Sequence, residues 1–467
     1  MISLGFAHGV HPPDSKQLTN RLPIRRMPYP DEVVLPIRQH AGKPAIPIVS
    51  VGDRVHRGDK IASSDGFVSS PVHASASGVV QDIELWPHPD GSMCPAIRIK
   101  VDRHSAQMPR QRIVPRWEDL DRDAIVRAVQ DGGVVGLGGA AFPTHVKLAP
   151  PQDLPVHTII LNGAECEPYL TTDHRIMVEY PQRVHLGIRI MMHTLGATKA
   201  VIGVERNKPD AIAALTASLP TDIDVTVLPL TVKYPQGAEK MLIKAVTGRE
   251  VPSGKLPVNL GVVVQNVGSA ASIGEIFMTG LPLVERVVTV SGRGVSNPSN
   301  LIVPIGTKLG DLLGMCGGLT DDAREIVFGG PMMGASQATL DVPVMKGTTG
   351  VVVLTSGDTR EFTTYPCIHC GRCLDACPMF LNPQGLGELA RAGRYEEMQE
   401  LHLGDCMLCG SCSYVCPARI PLAQLFHLSK SALRRVQVAK PAPAPAFAPA
   451  PATPAPAGVT TAAGEAA

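Results

Sequence analysis

Long apolar runs are missing from this 467-residue chain. No stretch of roughly eighteen uninterrupted apolar residues occurs, so no bilayer-spanning helix is expected. An excess of either charge is missing too. Lys and Arg number 43 against 42 Asp and Glu, a net charge of +1, which leaves no electrostatic footprint for nucleic acid. The chain does not open with a charged segment followed by an apolar one, so no secretory signal is expected. Aromatic residues are scarce, whereas 45 glycines and 43 prolines make loops and close backbone approaches abundant. Outside two short runs only Cys94, Cys166 and Cys316 remain, each alone and with no partner at disulfide-framework spacing. A chain of this length should divide into several domains, each with its own core.

The two cysteine runs are the most specific feature. Cys367, Cys370, Cys373 and Cys377 stand in C-x2-C-x2-C-x3-C spacing before Pro378, and Cys406, Cys409, Cys412 and Cys416 repeat it before Pro417. This is the bacterial ferredoxin pattern for two [4Fe–4S] clusters, in which the fourth cysteine of each run serves the other cluster. Short gaps let three thiolates cap three irons, and the proline turns the fourth away. One cluster is therefore expected on Cys367, Cys370, Cys373 and Cys416, and the other on Cys377, Cys406, Cys409 and Cys412. A pair of zinc sites would show pairs of C-x2-C, not runs of four. Cluster thiolates must stay reduced, which agrees with a cytosolic setting.

Around these runs the composition changes several times. Between Tyr29 and Val101, short alternating apolar stretches are broken by Gly-Asp turns, as in Val51–Ile61, which argues for β-hairpins. The pattern resembles the barrel-sandwich fold of lipoyl and biotinyl carriers. No acceptor lysine lies between Ile61 and Val80, so a structural or docking role is expected there. From about Trp117 to Gly280, strands such as Val156–Leu161, Ala200–Val204, Ile223–Leu228 and Leu260–Val264 alternate with amphipathic helices. An α/β domain with a largely parallel sheet follows. Leu283–Leu354 reads as a small mixed β domain with one helical stretch near Lys308–Cys316. The 28 residues between the cysteine runs look helical, at Leu386–Ala392 and Tyr395–Leu401, pointing to a helical ferredoxin variant. From Lys440 the Pro/Ala repeats cannot bury a core and should stay extended and disordered.

Ligand-binding signals cluster in the α/β segment. Gly136-Leu-Gly-Gly-Ala-Ala141 matches G-x-G-x-x-A, although a helix precedes it where the dinucleotide fingerprint needs a strand. Asn162-Gly-Ala-Glu-Cys-Glu-Pro168 and Gln265-Asn266 each follow a strand, at the carboxyl edge where open α/β sheets bind ligands. Together with Tyr234-Pro-Gln-Gly-Ala-Glu-Lys240, these blocks resemble the FMN- and NADH-binding blocks of the flavoprotein subunit of bacterial complex I. The whole order, from His8-Gly-Val-His-Pro-Pro13 through the cysteine runs, resembles the RnfC family. Members of that family are nucleotide-side subunits of Rnf ion-translocating electron-transport complexes.

That resemblance implies a multidomain α/β plus β fold. An N-terminal arm (1–28) precedes a barrel-sandwich hybrid domain (29–104) and a Rossmann-like FMN/NADH domain (116–280). A small β-grasp, soluble-ligand-binding-like domain (281–358), a helical two-cluster ferredoxin domain (362–436) and a disordered tail (437–467) follow. Carried over residue by residue, Gly136, Gly138 and Gly139 line the flavin phosphate and nicotinamide site, and Lys147 neutralises phosphate charge. Asn162 and Glu165 hold the flavin or nucleotide, and Gly237, Glu239 and Asn266 complete the pocket. Ala164 stands where complex I carries an acidic residue, so one contact is in doubt. Cys166 is read as a small buried side chain, and Glu167 as the start of a turn.

The implied cofactors are two [4Fe–4S] clusters and FMN, with NAD(H) as substrate. The implied partners are integral-membrane and other Rnf subunits and ferredoxin or another low-potential carrier, met at the cytoplasmic face of the bacterial inner membrane. A soluble NADH-oxidising iron–sulfur flavoprotein and a non-catalytic iron–sulfur adaptor remain the alternatives. The basic stretch His427–Val436 is expected to be a solvated helix end that cannot anchor the chain by itself.

Overall fold

The computed structural model describes residues 5–109, 115–359 and 363–439. The Pro/Ala stretch from 440 onward lies outside the described residues. Short strands open the chain: β1 (Ile24–Arg26), β2 (Glu32–Pro36), β3 (Ile46–Pro47), β4 (Arg54–Val55), β5 (Lys60–Ser63), β6 (Val72–His73), β7 (Gly78–Pro87) and β8 (Met93–Val101). All but β1 build two antiparallel sheets, in the orders β2-β8-β7-β4 and β3-β5-β6. Their inward residues, among them Val33, Leu35, Ile61, Val72, Ile97 and Ile99, form one shared core, as a barrel sandwich requires. Gly52 and Gly58 begin the two Gly-Asp turns at φ +92° and +91°, which glycine alone adopts without strain.

The next segment alternates as its sequence pattern demands. It comprises α1 (Arg122–Asp131), α2 (Thr144–Leu148), β9 (Thr158–Gly163), α3 (Thr172–Glu179), α4 (Pro181–Leu195), β10 (Lys199–Glu205), α5 (Pro209–Ala217), β11 (Asp224–Leu230), α6 (Glu239–Thr247), β12 (Val262–Asn266) and α7 (Val267–Thr279). The four strands are all parallel, in the order β11-β10-β9-β12. Residues of β9 alternate between two cores. Ile159 and Leu161 pack with α4 and α7, and Ile160 packs with Leu242 and Ile243 of α6. Both faces are thus covered, which is the usual state of a parallel sheet. The helices α4 and α7 touch backbone to backbone, since a Cβ on Gly187 would lie 2.0 Å from the Ala270 carbonyl oxygen.

A six-stranded sheet follows, from β13 (Glu285–Ser291), β14 (Ser299–Pro304), β15 (Ala323–Phe328), β16 (Ala335–Ser336) and β17 (Gly350–Thr355), with α8 (Leu309–Met315) packed on it. Its order is β1-β14-β13-β17-β15-β16, so one edge is supplied by β1, parallel to β14. The arm expected over residues 1–28 is therefore woven into the body of the protein. Lys16 reinforces this: its buried ammonium donates to the Glu167 and Leu170 carbonyls at 2.7 and 2.6 Å.

The last domain holds α9 (Arg372–Ala376), α10 (Pro383–Arg391), α11 (Tyr395–Glu400), α12 (Ser411–Tyr414) and α13 (Leu422–Ala439) around Leu386, Met398, Leu403 and Phe426. The helix α13 continues past residue 437, the expected start of the tail. Among the described residues no helix is long and apolar enough to cross a membrane.

Candidate cluster sites and the carboxyl edge of the parallel sheet

The two cysteine runs fold alike. His369 and Leu408 stand two residues after the first cysteine of each run, at φ +54° and +58°. Gly371 and Gly410 stand four residues after it, at +75° and +79°, and Phe380 and Arg419 stand thirteen after it, each at +55°. Left-handed conformations are uncommon for side chains other than Gly, Asn and Asp. Their recurrence at matched positions shows that each loop is wound in the same way before its short helix, α9 or α12.

Winding the chain in this way produces two cavities whose linings match the crossed ligand sets. Cys367, Cys370, Cys373 and Cys416 line one of about 120 Å³. Cys377, Cys406, Cys409 and Cys412 line the other, smaller one. Among the described residues no three His, Cys, Asp or Glu side chains are placed to hold one metal ion. Each thiol set lines one cavity, and four thiolates set around one volume suit four irons held by one thiolate each. The first set is the more open, with Cys370 exposed, whereas Cys377, Cys409 and Cys412 are buried. Burial raises the thiol pKa of Cys377, Cys406 and Cys412, so these groups are held as neutral thiols until a bound metal displaces their protons.

The second group of residues gathers at the carboxyl edge of β9 and β12. Asn162, at the end of β9, donates to the Gly237 carbonyl at 2.8 Å and accepts from the Ala164 amide. Asn266, at the end of β12, caps α7 by accepting from Gly268 N and donates to Asp173 at 2.6 Å. A Cβ on Gly138 would lie 3.3 Å from the Asn266 amide nitrogen, so the glycine loop sits directly over this edge. Leu137 ties that loop to the body of the protein: its amide donates to Ser269 Oγ, and its carbonyl accepts from Arg286. The amides of Gly138, Gly139 and Ala140 have no partner among the described residues, and all three residues are exposed. Gly139 takes φ +108°, with open space where a side chain would go. Free, outward amides on a glycine loop are what a phosphate needs.

Other positions are engaged within the protein. Lys147 donates to Glu239 at 2.6 Å and to the Val264 carbonyl at 3.1 Å. Glu165 is buried behind the edge, where it accepts from the Asp173 and His174 amides and caps α3. Burial pushes the Asp173 carboxyl upward, and the Glu165 charge beside it adds to the rise. Gly136 lies at the foot of the loop, paired with Phe142. Ala164 is buried, and its carbonyl is the surface on which Gly237 rests. Cys166, half-buried, accepts from the Gly237 amide, and desolvation of its thiol pushes it up to about 12.

Whether a flavin fits can be judged from unpaired groups. Gln236 is fully buried, yet neither polar atom of its amide has a partner, and Gln265 Nε2 is likewise unpaired, among the described residues. Buried amides in this state call for a ligand or water. With the open loop at Gly139, they make the edge a fit for a phosphate-bearing heterocycle.

Sequence reasoning gave no role to Tyr234, Ser269 or Arg286. Tyr234 Oη donates to the Cys409 carbonyl at 2.7 Å, linking the α/β domain to the buried thiol set. The signals for Ser269 and Arg286 are contacts between separate segments, which leave no local pattern. Glu167 does more than start a turn: it accepts from Met332 N, and burial pushes it up to about 7.

Comparison with known proteins agrees with this layout. The RnfC barrel sandwich hybrid domain matches residues 4–104, and the Nuo51 FMN-binding domain matches residues 129–275. An SLBB domain matches residues 287–336, and a 4Fe-4S dicluster domain matches residues 363–420. The C subunit of the proton-translocating ferredoxin:NAD(+) oxidoreductase complex of Clostridium ljungdahlii is 47% identical over 395 residues, covering 85% of this chain and 86% of that protein. The corresponding subunit of the Na(+)-translocating complex of Acetobacterium woodii is 44% identical over 400 residues, covering 86% and 90%. Its counterpart in the ion-translocating oxidoreductase complex of Rhodobacter capsulatus is 39% identical over 444 residues, covering 94% and 85%. With identity of this order along most of its length, the chain belongs to the RnfC family, the C subunits of ion-translocating oxidoreductase complexes.

Proposed function

We propose that this chain is the nucleotide-side subunit of an ion-translocating ferredoxin:NAD oxidoreductase. It carries FMN and two [4Fe–4S] clusters and exchanges electrons between NAD(H) and a ferredoxin-like carrier. The observation that carries this reading is the direct contact between the candidate flavin edge and the buried thiol set, through the segment 234–240. A hydride donor and a one-electron acceptor must be served by adjoining sites, and the contact of segment 234–240 with Cys409 and Asp405 supports that reading.

When bound, FMN supplies the conversion between two-electron hydride chemistry and one-electron transfer. The Gly138–Ala140 amides would receive its phosphate. Gln236 and Gln265 offer the unpaired hydrogen-bonding groups for a ring or ribose, Asn162 holds the backbone of Gly237 and Ala164 beside them, and the Lys147–Glu239 pair flanks the site. Asn266 orients Gly138 from below. The parallel sheet with its ligand edge is read as Rossmann-like, and the 281–358 unit as a β-grasp. We read the working units with the boundaries expected from sequence, with residues 24–26 joining the 281–358 sheet and the last helix reaching Ala439.

Ion movement is assigned to integral-membrane partners, on which this chain docks by its folded domains at the cytoplasmic face of the inner membrane. One observation favours a second reading, a non-catalytic adaptor: the Lys147 ammonium is already satisfied by Glu239 and Val264. Titration of the purified chain with NADH decides. Bound FMN that bleaches with NADH, followed by cluster reduction, supports the first reading. A chain with clusters but no flavin, and no response to NADH, supports the adaptor.

A further inference from the structure

The segment Tyr234–Lys240 is held at both ends by the second cysteine run. At one end Tyr234, 1% exposed, donates its hydroxyl to the Cys409 carbonyl at 2.7 Å. At the other, Lys240 pairs with Asp405, beside Cys406, at 3.3 Å, and Ser253 donates to the same carboxylate. Between these two fastenings lie Gly237 and Glu239, which belong to the carboxyl edge. The opening of the chain completes the clamp. Val10 and Tyr234 exchange backbone hydrogen bonds of 2.8 and 2.9 Å, and the adjacent Gly9 amide donates to the Ala376 carbonyl, beside Cys377. Gly9 is confined there, since a Cβ on it would lie 2.5 Å from the Tyr234 carbonyl oxygen.

We infer that Tyr234 is a positioning residue for the buried thiol set Cys377, Cys406, Cys409 and Cys412, fixing its loop against the flavin edge and tuning its reduction potential through the hydroxyl. The inference rests on the reading that these cysteines hold a cluster. Cluster potentials respond to nearby hydrogen bonds and to solvent exclusion. The Tyr234 hydroxyl directs the positive end of its dipole at a carbonyl on a ligand residue, in a pocket closed by Val10, Ala376 and Met332. A positive dipole end favours the more negative, reduced form. The hydroxyl bonds to Cys409, a member of this set and not of the other, so the effect should fall on one cluster.

Tyr234→Phe removes the hydroxyl and keeps the ring in its apolar pocket. The full-length chain, with clusters reconstituted, is titrated with dithionite and followed by EPR. Expected are unchanged iron and sulfide, one midpoint potential shifted to a more negative value with an altered signal, and the other unchanged. The same substitution in a Cys370→Ser background, which retains the buried cluster alone, identifies the shifted signal. Loss of only the buried cluster, read as half the iron with the remaining signal unaltered, also supports the assignment. Two unchanged potentials, a shift to a more positive value, a shift confined to the Cys370 set, or loss of both clusters overturns it. A wild-type chain without acid-labile sulfide would defeat the cluster reading itself, independently of Tyr234.

Discussion

Gly237→Ala tests the carboxyl edge most directly. A Cβ at this position would lie 2.3 Å from the Ala164 carbonyl oxygen, which is backbone and cannot swing aside, and 3.4 Å from Cys166 Sγ. The loop of residues 164–166 or the segment 234–240 must move. Overpacking of this kind costs about 1–3 kcal/mol. The displaced Gly237 carbonyl also loses its 2.8 Å bond from Asn162, a further loss of about 1 kcal/mol. Together these make about 2–4 kcal/mol, and a cost of about 3 kcal/mol falling on the flavin-competent arrangement weakens flavin binding roughly 140-fold, at about 1.4 kcal/mol per factor of ten. The assay is FMN affinity by fluorescence quenching on deflavinated chain, with iron content measured in parallel. Gly248→Ala serves as the control. It is also strained, at φ +72°, but it ends α6 with open space around it. Gly248→Ala should leave FMN affinity near that of the wild type. Equal FMN affinity in Gly237→Ala and wild type would refute the placement of the flavin at this edge.

Three further outcomes are expected. Cys370→Ser should lower iron from about eight to about four atoms per chain and leave the buried cluster assembled, because the two thiol sets line separate cavities. Glu167 is raised to about 7 by burial, so the stability it contributes is fully present below its unfolded value near 4.5 and is lost as pH rises through about 7. Wild type should therefore lose about 2 kcal/mol relative to Glu167→Gln between about pH 5 and pH 7, read from denaturant midpoints of the α/β domain. An equal pH response of the two proteins would remove the buried carboxyl from this account. A chain truncated after Lys440 should keep membrane association in the presence of its partner subunits. Release of that truncated chain on washing would make the Pro/Ala stretch a tether.

What could be read from the sequence was whatever is carried by spacing within a short segment. The crossed cysteine sets follow from gaps of two and three residues, and both cavities are lined as that spacing demands. The helix Pro181–Leu195 ends at Gly196 because its apolar stripe and its left-handed stop are both local. Contacts between distant segments left no such trace. Three residues, Ile24–Arg26, are too few to show alternation, and their pairing with Asn300–Ile302 is set by the sheet they join. Glu165 sits in a block rich in ligand-binding residue types, yet its neighbour in space is the start of α3, and that neighbour takes its carboxylate.

Tyr234 shows the same limit. Its block pointed toward the carboxyl edge of the parallel sheet, and Gly237 packs there against Asn162 and Ala164. The task of the tyrosine side chain cannot be inferred from the block, because a tyrosine followed by proline reads equally well as turn or core. Only the fold brings its hydroxyl to Cys409, 175 residues away in sequence. Joining the two sites through one segment has a physical consequence. Any displacement of residues 234–240 by a ligand at the edge is transmitted to the Cys409 carbonyl and to Asp405, since both ends of the segment are bonded to the cysteine run. A ligand at the carboxyl edge and the geometry of the buried thiol set would therefore share this one segment, and substitutions at either end are expected to be felt at the other.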